Sequence, residues 1–211
     1  MINIENVMIK KVITVPVTAT LEDALIATSI NKIRHIPVVK GNELVGILSD
    51  RDLRDVSPST LSPEDPGLLK TTLIKDIMHT NVITIHPLDF LEDAARLLYE
   101  HRIGCLPVVS NDELVGIVTE TDILRSLVEI LGLLKPGSHI EIEVPNRTGV
   151  LAEMATIIKD HGVNILSVVL TPGSTPEKQV IVMRLQAIDL RKIVADAEGA
   201  GFTVLWPRQR L

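Results

Sequence analysis

Aromatic side chains are scarce in this 211-residue chain: one Trp, one Tyr and two Phe, 2% of the residues. That excludes a protein that binds single-stranded nucleic acid by stacking bases on aromatic platforms. A basic excess is also missing. There are 21 Lys and Arg against 27 Asp and Glu, a formal net charge of −6, which is the wrong sign for gripping a phosphate backbone. A single cysteine excludes a disulfide framework and any cysteine-rich metal site. No apolar run reaches the roughly 18 residues needed to span a bilayer. Met1-Ile2-Asn3-Ile4-Glu5 lacks the basic and then apolar regions of a signal peptide, so a soluble, cytoplasmic protein is expected, with no membrane and no nucleic acid among its partners. Neither Gly-x-x-x-x-Gly-Lys-Ser/Thr nor Gly-x-Gly-x-x-Gly nor Gly-x-Ser-x-Gly occurs. The six His fall at no metal-binding spacing. The expectation is therefore no catalytic residue, no metal and no catalytic cofactor.

What the chain does have is bulk for a core, 45% hydrophobic against 23% charged residues, and an internal repeat. A shift of 70 aligns residues 7–53 with 77–123 without a gap, at 18 identities in 47 positions. Val12-Ile13-Thr14 matches Val82-Ile83-Thr84, Leu21-Glu22-Asp23-Ala24 matches Leu91-Glu92-Asp93-Ala94, and Pro37-Val38-Val39 matches Pro107-Val108-Val109. An ungapped match through several elements indicates duplication.

Each copy reads β-α-β-β-α. Residues 12–15 form a β-branched strand closed by Pro16. Thr20 caps a helix with Leu21, Ala24, Leu25 and Thr28 on one face. Residues 36–39 and 44–48 are strands joined by the turn signal Gly41-Asn42. Ser49 opens a second helix, whose counterpart in copy two runs on through Leu124, Leu127, Val128 and Leu131 to a stop at Pro136-Gly137. Residues 57–72, with Pro58, Pro63 and Pro66, read as an irregular connection. One copy alone is too small to bury its apolar face. Two copies packed about a pseudo-two-fold bury a shared sheet surface and create two equivalent clefts.

The sharpest motif is Gly46-Ile47-Leu48-Ser49-Asp50-Arg51-Asp52, repeated as Gly116-Ile117-Val118-Thr119-Glu120-Thr121-Asp122. A strand delivers a hydroxyl residue to a helix start, and an Asp follows three positions later. Taken alone this is a capping box. A helix N-terminus also offers free N–H groups to a phosphate, and the Asp beside it can accept bonds from ribose hydroxyls. The two readings are compatible.

With its preceding apolar-Pro-Val-Val strand, the doubled motif resembles a tandem pair of cystathionine-β-synthase-type (CBS) domains, a Bateman module. The resemblance implies clefts for adenosine-containing ligands: AMP, ADP or ATP as a regulatory ligand. It places Ile13, Thr14, Arg34, His35, Ile36, Pro37, Ser49, Arg51 and Asp52 at a first nucleotide site. Ile83, Thr84, Gly104, Cys105, Leu106, Pro107, Thr119, Thr121 and Asp122 belong to a second. Asp52 and Asp122 would hold ribose, Ser49 and Thr119 phosphates, and the apolar strands adenine. Arg34, His35 and Arg51 have Gly104, Cys105 and Thr121 as counterparts, so the first cleft is expected to prefer more phosphates, because guanidinium forks suit phosphate oxygens. Solvated surface positions are the other reading of these arginines.

After Pro136-Gly137 the repeat stops. Residues 139–144, 165–170, 179–185 and 202–206 read as strands, and 150–158 and 190–200 as helices, in ferredoxin-like βαββαβ order. Asn146-Arg147-Thr148-Gly149-Val150-Leu151 and Gly162-Val163-Asn164-Ile165 resemble an ACT domain, although Asn146 stands where that family usually has Asp. ACT domains pair side by side and often bind an amino acid at the interface, which implies Asn146, Gly149 and Asn164 as the candidate amino-acid site. A glycine turn and helix cap account for the same residues without a ligand. The order of domains resembles the acetoin utilization protein AcuB family over essentially the full length.

The expected architecture is α+β (α/β): residues 1–60 as CBS domain 1, 61–72 as linker, 73–135 as CBS domain 2, 136–138 as hinge and 139–211 as ACT domain. The resemblance implies a non-enzymatic homodimer that senses adenine nucleotides and relays this to an enzyme of acetoin or acetyl-CoA metabolism. An amino-acid-responsive ACT module on a CBS scaffold is the alternative.

Overall fold

The structure, a computed structural model, describes residues 2–56 and 67–207. The chain divides into two compact units, residues 1–124 and 125–211.

In the first unit, β2 (His35–Lys40) and β3 (Glu43–Ser49) form one hairpin, and β4 (Cys105–Ser110) and β5 (Glu113–Thr119) form the other. The β-branched, apolar runs with turn residues between them dictate both. With β1 (Val15–Pro16) they make one five-stranded sheet in the order β1-β2-β3-β5-β4, the hairpins meeting where Glu43 faces Glu113. Both hairpins shift register at the same place, Val38/Val39 and Val108/Val109, as duplicated sequences should. Helix α1 (Leu21–Asn31) opens on Thr20, whose hydroxyl accepts from the Asp23 amide at 3.2 Å while the Asp23 carboxylate accepts from the Thr20 amide at 2.9 Å. This is a complete capping box. The remaining helices here are α2 (Asp50–Asp55), the short α3 (Leu68–Thr71), α4 (Leu91–His101) and α5 (Glu120–Ile130).

Three local expectations change. The strand expected at residues 12–15 pairs only at Val15 and Pro16, parallel to β2, and its counterpart in copy two is a single bridge, Ile85 to Val108. Pro16 itself brings no N–H to the ladder, and Val17 makes the last bond of the pairing, donating to Val39 O at 3.0 Å. The irregular connection at 57–72 lies partly outside the described residues, and its end forms α3. The long helix stops before Pro136. Gly132, in the left-handed region at φ +66°, donates to Glu129 O, and Leu133 donates back to Val128 O, a glycine-terminated Schellman end.

The two copies are tied by an exchange of their leading segments. Ile4 donates to Asp89 O and is fully buried among Ile85, Leu91, Leu98 and Leu106 of copy two. Ile74 donates to Ala19 O and is fully buried among Val15, Leu21, Ile36 and Leu48 of copy one. Beyond these anchors, Ile9 exchanges backbone bonds with Ile117, and His79 with Ile47. The repeated glycines make room for this crossing. A Cβ on Gly46 would lie 2.5 Å from the Met78 sulfur, and one on Gly116 2.5 Å from the Met8 sulfur.

The second unit is β6 (Ser138–Pro145), α6 (Val150–Asp160), β7 (Ile165–Pro172), β8 (Lys178–Leu185), α7 (Arg191–Gly199) and β9 (Thr203–Trp206). Its antiparallel sheet runs β7-β8-β6-β9, the ferredoxin-like order the sequence implied. Alternating Ile140, Ile142 and Val144 point to a core with Met154, Ile158, Ile181, Met183 and Ile193.

On β6, Glu143 is buried and accepts from Lys178 Nζ at 2.7 Å and the Ser174 amide at 2.9 Å. The Lys178 bond, then those from Ser174, pull its carboxyl down from 4.5 to about 2. A depressed carboxyl stabilises the fold fully above its ordinary value and loses that contribution as pH falls through the folded value. Glu143→Gln should therefore lower the melting temperature clearly at pH 6, and the gap to the unmodified chain should close between pH 4.5 and 2. A pH-independent gap in thermal unfolding contradicts this account.

Candidate functional site

The sequence motif does in space what a capping box must. At the end of β3 the Ser49 amide and hydroxyl both donate to Asp52 Oδ2 at 2.7 Å, and the Asp52 amide donates back to Ser49 Oγ at 3.2 Å. At the end of β5 the Thr119 amide and hydroxyl donate to Asp122 Oδ2 at 3.0 and 2.6 Å, with the reciprocal bond at 3.3 Å. One oxygen of Asp52 is thus spent on the cap. The other, Oδ1, lies 3.2 Å from His79 Nε2.

Around Asp52 opens a cavity of about 830 Å³. Its floor and one wall come from copy one: Ile47, Ser49, Asp50, Arg51 and Asp52 from β3 and α2, with Arg34 and His35 at the start of β2. The opposite wall comes from copy two: Met78 to Ile83 from the exchanged segment, Arg102 and Ile103 after α4, then Gly104, Cys105 and Pro107. Glu120 completes it. Grouping the expected residues copy by copy therefore gives way to grouping across copies, because the exchanged segment lays copy two's strand against copy one's motif.

Of the expected first-site residues, Arg34, His35, Ser49, Arg51 and Asp52 line this cavity; Ile13, Thr14, Ile36 and Pro37 do not. From the expected second site, Ile83, Gly104, Cys105 and Pro107 join it, while Thr84, Leu106, Thr119, Thr121 and Asp122 lie elsewhere. Ile36 and Leu106 are core residues at 0% exposure. Their side chains fill the hydrophobic clusters under α1 and α4 and cannot reach a ligand. The 70-residue shift carries the cavity onto Thr119 and Asp122 opposite Met8 and Ile9, where the Ile9–Ile117 bridge repeats the His79–Ile47 bridge. Residues not foreseen in the cavity are Ile47, Asp50, Met78, His79, Thr80, Asn81, Val82, Arg102, Ile103 and Glu120. Arg102 follows α4 in the left-handed region at φ +54°. The signal for all of them was the repeat itself, read across copies instead of along one.

Electrostatics in the cavity are balanced: Arg34, Arg51 and Arg102 against Asp50, Asp52 and Glu120. Burial, then the Arg34 charge, lowers the pKa of His35, which favours its neutral form. Its ring packs on Gly104, where a Cβ would lie 2.7 Å from His35 Cε1. Burial works upward on Asp52, but the Ser49 bonds and His79 outweigh it and leave the carboxyl below its ordinary range. Cys105 is pushed up to about 12 by burial and then by Glu120, so it stays a thiol and is no nucleophile at neutral pH. Among the described residues no group of three or more His, Cys, Asp and Glu is placed to hold a metal ion. No described helix is long and apolar enough to cross a membrane.

The expected amino-acid residues are not brought together within one chain. Asn146 follows Pro145, which pairs with Lys178, while Asn164 bonds Gln186 at the other end of β8. Seven strand positions separate the two ends, about 24 Å. Gly149 starts α6 on the Asn146 side.

Comparison with known proteins agrees with this geometry. The CBS domain family matches residues 4–59 and 74–129, and the ACT domain family residues 138–198. A CBS domain-containing protein of Dictyostelium discoideum is 34% identical over 141 residues, 64% of this chain and 97% of that protein. A Vibrio cholerae structure described provisionally as an acetoin utilization protein (AcuB) is 36% identical, covers 64% of this chain and 96% of its own, and superposes with a TM-score of 0.55. The structure of CBSX2 in complex with AMP is 30% identical, covers 62% and 99%, and gives 0.52. The chain belongs to the CBS-domain family, as a tandem CBS pair followed by an ACT domain.

Proposed function

We propose that this protein is a non-catalytic, cytoplasmic regulator whose CBS pair senses adenine nucleotides. The observation that carries the reading is the cavity around Asp52. At about 830 Å³ it falls within the size of small-ligand sites. It offers a carboxylate for a sugar, the capped start of α2 with Arg51 and Arg34 for phosphates, and the Ile83 to Pro107 wall for a base. The likeness to a chain crystallised with AMP supports the same ligand class. A ligand with different affinity for two arrangements of the pair shifts their populations. The ACT domain passes that shift to a second copy or to an enzyme partner. Acetoin or butanediol breakdown is the physiological setting, on the likeness to the Vibrio cholerae chain.

A homodimer formed through the ACT domain has its own support. Strand β7 lies at the sheet edge, with Val168, Val169 and Leu170 exposed, and an open apolar edge strand invites another strand. Antiparallel pairing of two such edges would carry Asn164 of one copy toward the Asn146 end of the other, the arrangement an interfacial amino-acid site needs.

Calorimetric titration with AMP, ADP, ATP and S-adenosylmethionine tests the reading. Micromolar binding of at least one is expected, and neither heat nor thermal shift for any removes it. A thermal shift with amino acids alone selects the amino-acid-responsive module instead. Arg51→Ala should weaken ATP more than AMP, by on the order of ten-fold for a lost guanidinium–phosphate fork. Unchanged ATP affinity contradicts the preference for more phosphates.

A further inference from the structure

We propose that His79 is a specificity-determining residue of the cavity: reaching across from copy two, it competes with a ribose for the outer oxygen of Asp52, so the sugar is gripped firmly when the imidazole is neutral and weakly when it is charged. This rests on the adenine-nucleotide reading above.

The argument begins with the cap. Ser49 uses Asp52 Oδ2 twice, through its amide and its hydroxyl, both at 2.7 Å. A sugar with two neighbouring hydroxyls must therefore be held through Oδ1, and Oδ1 already lies 3.2 Å from His79 Nε2. The His79 backbone is fixed. Its amide and carbonyl exchange 3.0 Å bonds with Ile47, two residues before Ser49. The ring can leave Asp52 only by turning about its own side-chain bonds, toward the solvent that already reaches 66% of it. A neutral imidazole gives up a single hydrogen bond to the carboxylate in doing so. An imidazolium gives up that bond and, with it, the attraction between its own full charge and the carboxylate.

Copy two has no such arrangement, since the residue at the matching place is Ile9, which carries no side-chain donor. Competition of this kind belongs to one cleft of the pair. The other charged or titratable groups in the cavity are Asp50, Arg51 and Asp52 on α2, Arg34 and His35 at the start of β2, Arg102 after α4, Cys105 on β4 and Glu120 on α5. The arginines keep their charge throughout. His35 has its pKa lowered by burial and by Arg34, and Cys105 keeps its proton. Histidine is the side-chain type that changes charge between pH 5 and 8.

Two measurements test this. In the unliganded protein, the Asp52 carboxyl is followed against pH by carbon-13 NMR in the unmodified chain and in His79→Ala. Its midpoint should rise in the variant, because one of the bonds holding it down is gone, and an unmoved midpoint overturns the contact. Adenosine, which has the sugar and no phosphate, is then titrated calorimetrically at pH 7.5 and 5.5, with AMP in parallel. Its affinity should fall on the order of five-fold on acidification in the unmodified chain, the size of a partly exposed ion pair, and less than about two-fold in His79→Ala. Equal pH dependence in both proteins, or none in the unmodified chain, overturns the role given to His79. AMP heat without adenosine heat also overturns it while leaving the nucleotide reading standing. No heat from either ligand at either pH overturns the role given to His79; the nucleotide reading then stands or falls with ADP, ATP and S-adenosylmethionine, and the NMR result still decides whether the contact exists.

Discussion

Asp52→Ala is expected to weaken AMP binding by on the order of 10- to 100-fold, the cost of removing a charged acceptor from a hydrogen-bonded sugar. The same change opens the cap of α2, so a structural cost of about 1 kcal/mol comes with it. Two further variants separate the effects. Ser49→Ala removes the hydroxyl that bonds Asp52 and should lower the melting temperature about as much as Asp52→Ala, with a smaller loss of affinity. Asp52→Asn keeps an oxygen for the cap and loses the charge, so its stability should stay closer to the unmodified chain while AMP affinity still drops. AMP affinity within two-fold of the unmodified chain in Asp52→Ala would sink the assignment of ribose to this carboxylate.

Ile74→Ala should destabilise the first unit by about 2–5 kcal/mol. Ile74 is fully buried, yet it belongs by sequence to copy two and by packing to the core of copy one. Its removal leaves a cavity beside Leu21, Ile36 and Leu48 and slackens the segment that carries His79 to the ligand wall. The loss should therefore appear in AMP affinity as well as in chemical denaturation. Ile4→Ala, the matching change for copy two, should cost a similar amount of stability and leave the Asp52 cavity less affected. A denaturation midpoint unmoved by Ile74→Ala would mean that the exchanged segment does not anchor the copies.

That exchange is also where the sequence falls silent. The strands at 36–39 and 44–48, the Thr20 helix cap, the Gly41 turn and the Ser49-x-x-Asp52 motif each announce a local structure and each forms as read, whereas the β-branched run at 12–15 pairs only at Val15 and Pro16. A local pattern says which residues are apolar and which face they share. It does not say whose core they enter. Ile4 and Ile74 occupy matching places near the start of their own copies, and each crosses to the core of the other. The site inherits the same blind spot. Ser49 and Asp52 are marked by the cap they build, but the wall that faces them comes from residues 78–83 and 102–107 of the other copy, which that motif does not point to. Ile36 and Leu106 failed as ligand contacts because strand alternation turns them inward, toward α1 and α4. Asn146 and Asn164 were joined by family pattern, whereas the β6–β8 register sends them to opposite ends of one sheet.

Position 34 of copy one and position 104 of copy two match in the repeat, and both border a single hollow, as do 35 and 105. Duplication has doubled the flanks of this module but left it one middle. Only one member of the central pair brings a cation there: Arg34, opposite the bare Gly104.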